Sequence, residues 1–202
     1  MSKSFVLASG SPRRKALLED LGLDIDVRVS DADEIDHLGP EAVVLHNAGL
    51  KCDAVAQDAS DDEVIIAADT IVVLGKQILG KPKSLDEAKS MLRNLSGNTH
   101  CVMTGVAVRG EVNRPNSVGV EITEVTFCPL SEKDIDTFVH TVQPLDRAGA
   151  YTVDGPGGLL VAGYNGCYYN VLGLPLVRLQ AILHHFDIDL FNAMDPEKTR
   201  FL

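Results

Sequence analysis

The sequence predicts an α/β protein with a mixed sheet. Short apolar strands alternate with helices in the first half of the chain, strands follow one another directly in the second half, and turn signals punctuate most segments. The chain has 202 residues, 45% of them hydrophobic and 23% charged. That suits one large domain or one domain of two lobes, with enough apolar surface for a core.

Ser4 to Ala8 is apolar, ends at Ser-Gly-Ser-Pro and reads as a buried strand. Ala16 to Leu23 follows as a helix, with Leu17, Leu18 and Leu21 on one side, and Val27 to Val29 as a second strand. Pro40 to Gln57 is a helix that turns Val43, Val44, Ala48, Cys52, Val55 and Ala56 to the core, and the acidic stretch to Glu63 is an exposed loop. Val64 to Ala68 and Thr70 to Leu74 are apolar pieces separated by Asp69, and a turn at Gly75-Lys76 returns through Gln77 to Leu79 as a hairpin. Ser84 to Asn94 is a helix with a Ser84/Glu87 capping box, and Gly97 lies past its end.

Cys101 to Val108 is a strand. Val118, Val120 and Ile122 alternate, and Val125 and Phe127 continue one residue out of phase, as a bulge would produce. Ser131 caps a helix that reaches about His140. Leu159 to Gly163 and Cys167 to Val171 flank Tyr164-Asn165-Gly166, and the Asn-Gly pair signals a hairpin turn. Leu176 to Phe186 is a closing helix, followed by a polar tail.

The net charge of -11 argues against a nucleic-acid binder and against docking on an anionic membrane, because both need a basic face. Cys52, Cys101, Cys128 and Cys167 lack metal-site spacing and read as thiols in a reducing cytosol. The start of the chain lacks a signal-peptide pattern, and no apolar run approaches the ~18–20 residues of a membrane span. A cytoplasmic location is expected.

Three segments carry chemistry. In Ser9-Gly10-Ser11-Pro12-Arg13-Arg14, Ser11 fits a helix N-cap and Pro12 the first helical position. Arg13 and Arg14 then fall at the positive end of the helix, where cations are unfavourable by about 0.3–1 kcal/mol each. Either a phosphate binds there, held by backbone N–H groups and arginine forks, or the arginines are solvated. Asp69 interrupts an apolar run, so it either meets a metal, a cation or a donor, or it ends a strand in solvent. Glu34, in Asp31-Ala32-Asp33-Glu34, supplies a second candidate oxygen ligand, since Mg²⁺ takes one or two protein carboxylates and completes its shell with water and phosphate. Lys81 lies between Gly80 and Pro82, which direct its stem, and Lys51 lies on the second helix. ASGSPRR is not the glycine-rich turn of a dinucleotide-dependent dehydrogenase.

In order along the chain, ASGSPRRKALLEDLG (8–22), DADE (31–34), the helix bearing Lys51, AADTIVV (67–73), ILGKP (78–82), LSGNTHCVMTGVAV (95–108), PLDRAGAY (144–151) and NVLGLPL (170–176) resemble the Maf family of nucleotide pyrophosphatases. The ordered set is specific although no single motif is decisive. The resemblance implies an α/β fold in two lobes around a central cleft, spanning 1–202 and related to inosine-triphosphate pyrophosphatases. It also implies hydrolysis of a nucleoside triphosphate to monophosphate and diphosphate, with a divalent metal (Mg, Mn or Co), by a homodimer. The activity would limit incorporation of modified nucleotides.

Carried over by position, Asp69 is similar to the family's proton acceptor. Glu34, Lys51 and Lys81 match other catalytic and phosphate-site residues, and Asp69 and Glu34 are the expected metal ligands. Ser11, Arg13, Arg14, Thr70 and Asp154 are the expected substrate contacts. Arg13 and Thr70 match the branch acting on dTTP and UTP. Asp154 departs from that branch, which has Gln there, and agrees with the acidic residue of the 7-methyl-GTP branch. That second branch, and a nucleotide-binding regulator of septum formation without turnover, are the alternatives.

Overall fold

The computed structural model describes residues 3–110 and 115–200. Among the described residues seven strands form a mixed sheet: β1 Ser4–Leu7, β2 Ile25–Val27, β3 Glu63–Leu74, β4 Gln77–Leu79, β5 Thr99–Arg109, β6 Ser117–Phe127 and β7 Val161–Asn165. Their order is β2-β1-β3-β5-β6-β7, and β4 also pairs with β3. β1 runs parallel to β2 and β3, whereas β4 is antiparallel to β3 and β7 to β6. The helices among the described residues are α1 Pro12–Asp20, α2 Pro40–Ala56, α3 Leu85–Leu95, α4 Glu132–Val142, α5 Tyr168–Val171, α6 Leu176–Leu183 and α7 Leu190–Ala193. The expected α/β class with a mixed sheet is therefore the observed one. The chain divides into two compact units, the first of residues 1–69, 104–121 and 173–202, the second of 70–103 and 122–172.

In the first unit β1 and the first half of β3 are apolar on both faces, as strands covered by helices on either side must be. Val64, Ile66 and Ala68 of β3 pack with Leu18 of α1 and with Leu179, Ile182 and Leu183 of α6. The alternate residues Ile65 and Ala67 pack with Ala48, Cys52 and Ala56 of α2. α2 approaches the sheet closely because β5 carries Gly105. A Cβ there would stand 2.2 Å from the Val44 carbonyl oxygen, so only glycine admits the helix backbone.

In the second unit, α3 and α4 lay Leu92, Leu95, Ile135 and Val139 against Val72, Val102, Val125 and Phe127. His100, Phe127 and Tyr151 meet edge to face, with centroids 4.8–5.4 Å apart. The Tyr151 hydroxyl lies 2.7 Å from His100 Nε2, while His100 Nδ1 is buried without a hydrogen-bond partner. Protonation would bury a second, unpaired N–H. Burial accordingly lowers the His100 pKa to about 4.

Four local expectations change. The Asn165-Gly166 pair turns no hairpin: β7 ends at Asn165 and Cys167 caps α5. A type I′ turn needs positive φ at both residues, and only Gly166 has it, at 130°. Thr123 directs the chain instead, since its hydroxyl accepts from Cys167 N and from Asn170 Nδ2 and donates to the Cys167 carbonyl. The register shift in β6 lies at Thr126/Phe127 against β7. Upstream, Thr123, Val125 and Phe127 face the core while Val118 and Ile122 are exposed. Glu87 does not close the capping box on Ser84, because its carboxylate accepts from Lys83 N one residue earlier. The polar tail is built in: α7 buries Leu190, and Arg200 N donates to the Asp20 carbonyl.

Two predictions follow from this packing. Gly105→Ala should cost about 1–3 kcal/mol of stability or more, measured by denaturant unfolding, because the backbone of α2 must move away. His100 takes up its proton near pH 6.5 when unfolded but only near 4 when folded. Acid therefore favours the unfolded chain, and stability falls as pH drops through 6.5 toward 4. Between pH 7 and pH 5 the parent should lose about 1–2 kcal/mol more than His100→Gln, measured by unfolding at both values.

Candidate active site in the first unit

Strand periodicity places Asp69. Odd-numbered residues of β3 face α2, so Asp69 continues the row of Ile65 and Ala67. On α2, Asn47 and Lys51 are four residues apart, on one side and one turn from each other, beside the core stripe of Val44, Ala48 and Cys52. Asp69 is only 7% exposed, and such a carboxylate needs partners for its charge. Lys51 Nζ lies 2.8 Å from Oδ1, and Asn47 Nδ2 donates to Oδ2 over 3.2 Å. The first alternative for Asp69, a carboxylate that meets a cation and a donor, is the one the fold adopts.

Glu34 joins the same ammonium: its Oε1 lies 2.7 Å from Lys51 Nζ. Its side chain is half-exposed, unlike that of Asp69. Asn47 was not among the expected residues. Its amide also pairs twice with the backbone of Ile35, accepting from N at 2.9 Å and donating to O at 3.0 Å. One signal could have exposed it, a polar side chain one turn before Lys51 within an apolar helix.

The arginine pair of α1 divides. Arg14 is buried and points inward: Nε donates to the Gly173 carbonyl, and Nη1 to Ser9 Oγ and the Ala68 carbonyl. It thereby ties the β1–α1 turn to the β3 residue preceding Asp69. Burial lowers its pKa to about 10 against the opposing effect of the Asp69 charge, so it stays charged at neutral pH. Arg13 is half-buried. Ser11 occupies the N-cap and Pro12 the first turn, as the sequence implies, but the Ser11 side chain makes no capping hydrogen bond.

The other expected residues belong to the second unit. Thr70 is half-buried in β3. Lys81 is exposed and followed by buried Pro82. Gly80 before it is held by Gly149, whose N donates to the Gly80 carbonyl over 3.0 Å. Gly149 has φ of 68° and sits against Val72, where any Cβ would be within 3.2 Å of that side chain. Asp154 is exposed, and the Thr152 hydroxyl donates to one of its carboxylate oxygens. The Tyr168 phenol is pushed up, first by burial and then by the Asp154 charge.

Asp69 and Glu34 provide hard oxygen donors, a chemistry that suits a divalent cation whose remaining ligands are water and phosphate. No group of three or more His, Cys, Asp or Glu side chains gathers for a metal among the described residues. A cation here would therefore take most of its shell from elsewhere.

Comparison with known proteins concerns the chain as a whole. The family model described as "Maf-like protein" matches residues 4–186. A protein named dTTP/UTP pyrophosphatase from Bacillus cereus (strain G9842) is 45% identical over 194 residues, covering 95% of this chain and 100% of that one. A protein of the same name from Bacillus anthracis is 44% identical with the same coverage. Among solved structures, a nucleoside-triphosphatase / dITP/XTP pyrophosphatase from Mycobacterium abscessus superposes with a TM-score of 0.45 at 11% identity, covering 90% of this chain and 94% of that one. With matching residues along nearly its whole length, the chain belongs to the Maf-like protein family.

Proposed function

We propose that this protein hydrolyses a nucleoside triphosphate, dTTP or UTP in the first instance, to the monophosphate and diphosphate. The observation that carries the reading is the inward-facing Asp69, held on both oxygens by Lys51 and Asn47 with Glu34 on the same lysine. It sits in a chain 45% identical, end to end, to a protein named for that activity.

In this reading Asp69 orients the attacking water and accepts its proton at a carboxylate oxygen. Attack occurs at the α-phosphorus, and diphosphate leaves. Lys51 turns part of its charge from the two carboxylates to the phosphates. Arg13, at the positive end of α1, binds phosphate oxygens, and Lys81 is the further phosphate contact that the family resemblance implies. A divalent cation held by Asp69 and Glu34 would supply further positive charge to the phosphate oxygens. Arg14, engaged with at least three protein acceptors, fixes the middle of β3 beside Asp69 rather than the substrate. The reading extends to a cytoplasmic homodimer. The four cysteines are unpaired, in keeping with a reducing compartment, and no described helix is long and apolar enough to cross a membrane.

Asp154 bears on the base. Gln both donates and accepts, which suits the N3–H and a carbonyl of uracil or thymine. An ionised Asp only accepts, and it suits the ring N–H and exocyclic amine of guanine. Asp154 has one oxygen taken by Thr152 and the other available to such a donor.

Two measurements test this. Asp69→Asn should fold and lose turnover by a factor on the order of 10²–10⁴, read as released diphosphate against metal-free controls; near-full turnover in a folded variant would remove Asp69 from the chemistry. A parent that binds nucleotide but releases no diphosphate would favour the regulator reading. Asp154→Gln should raise the kcat/KM of dTTP and UTP relative to GTP and 7-methyl-GTP by about ten- to a hundredfold. An unchanged ranking across the four nucleotides would show that Asp154 does not face the base.

A further inference from the structure

We infer that Asn47 is a positioning residue for the proposed hydrolysis, which clamps the loop carrying Glu34 to the carboxylate of Asp69. The argument starts from hydrogen-bond capacity. A primary amide offers two N–H donors and one carbonyl acceptor. Asn47 is 2% exposed, and every donor it has is used, one on the Ile35 carbonyl and one on Asp69 Oδ2. Its oxygen accepts from Ile35 N. The double bond to Ile35 imitates a pair of strand residues, in a stretch from 28 to 36 that belongs to no strand or helix. A single side chain thus does for this loop what a sheet ladder does elsewhere.

The consequence falls on the neighbouring residue. Glu34 precedes Ile35, and its carboxylate reaches Lys51 Nζ, one helical turn after Asn47. The Glu34 side chain is 56% exposed, and an exposed ion pair is a weak restraint, because a long side chain loses entropy on pairing and water screens the charge. Lys51 alone therefore cannot hold Glu34 beside Asp69. The buried, fully paired amide can, because releasing Ile35 would leave buried amide groups unsatisfied. Asn47 also fixes the second oxygen of Asp69, so both carboxylates are referred to one rigid point on α2. In this way the spacing between the proposed base and its acidic neighbour is set by a residue that touches neither water nor phosphate in the reaction.

The inference rests on the proposed activity, so its test pairs an activity arm with one independent of activity. Asn47→Leu keeps side-chain volume and removes all three hydrogen bonds; Asn47→Ala serves as a second variant should leucine disturb the packing. Amide exchange at Ile35, read by NMR, should accelerate at least tenfold in the variant, with amides of β1 and α6 unchanged. Its kcat should fall at least tenfold while the KM for dTTP stays within threefold. Against a Glu34→Gln background the same change should cost at least threefold less than in the parent, since only the part that acts through Asp69 remains. Unchanged exchange at Ile35 would overturn the clamp whatever the activity. Equal losses in the parent and Glu34→Gln backgrounds would overturn its link to Glu34. A parent that releases no diphosphate would sink the proposed function instead, and exchange at Ile35 would still decide the clamp.

Discussion

The arrangement of the first unit turns on one buried carboxylate. Asp69 stands in a strand whose neighbours are packed on both faces, in a setting that would be prohibitive for an unpaired charge. It is tolerated because α2 brings an ammonium to one oxygen and an amide to the other. Those contacts require the helix backbone to lie against β5, which requires a residue without a side chain at Gly105. From the other edge, Arg14 holds the Ala68 carbonyl. Glycine in one strand, polar residues one turn apart on a helix and an arginine in another helix thus share a single purpose, the presentation of Asp69.

That economy has a chemical meaning. A buried polar network in which each group is paired is rigid, and rigidity is what the role proposed for Asp69 needs. Glu34 is different. Its exposed side chain depends on Lys51 and on the Asn47 clamp for its place. The two carboxylates therefore differ in exposure although one lysine touches both, and the more exposed of them lies on the loop.

The second unit achieves stiffness by other means. Its core ends in the His100, Phe127 and Tyr151 triad, and Tyr151 closes the segment in which Gly149 and Ala150 both have positive φ. Gly149 ties that segment to Gly80, next to Lys81. Gly157 approaches the Thr152 carbonyl so closely that a Cβ would lie 1.8 Å away, which folds the chain back just after Asp154. The backbone around Lys81 and Asp154 is therefore fixed by close contacts at glycines, while the two side chains stay exposed.

Much of this was determined by sequence alone. Period-two and period-3.6 patterns located β1, β3, α2, α3 and α6 closely, because apolar burial is written directly in residue spacing. The start of α1 and the capping of α4 followed from Ser11-Pro12 and Ser131, since such signals are local. Asp69 was marked by a charge set in an apolar run, Glu34 by its place in an acidic stretch, and Lys51 by family resemblance. Other features needed the folded chain. Whether Asp69 met solvent or a cation depended on a helix more than a dozen residues away. The inward turn of Arg14 depended on Ala68 and Gly173, which no local rule connects to it. Asn165-Gly166 had a hairpin signal, but Thr123, more than 40 residues earlier, offered hydroxyl bonds that carried the chain into α5. Asn47 gave one local sign, a polar side chain in an apolar helix one turn before Lys51, but its role stayed hidden because a buried amide is specified by partners remote in sequence. Local spacing determines which residues are buried; only the tertiary structure decides which polar groups meet, because those pairings join segments that short-range pattern cannot relate.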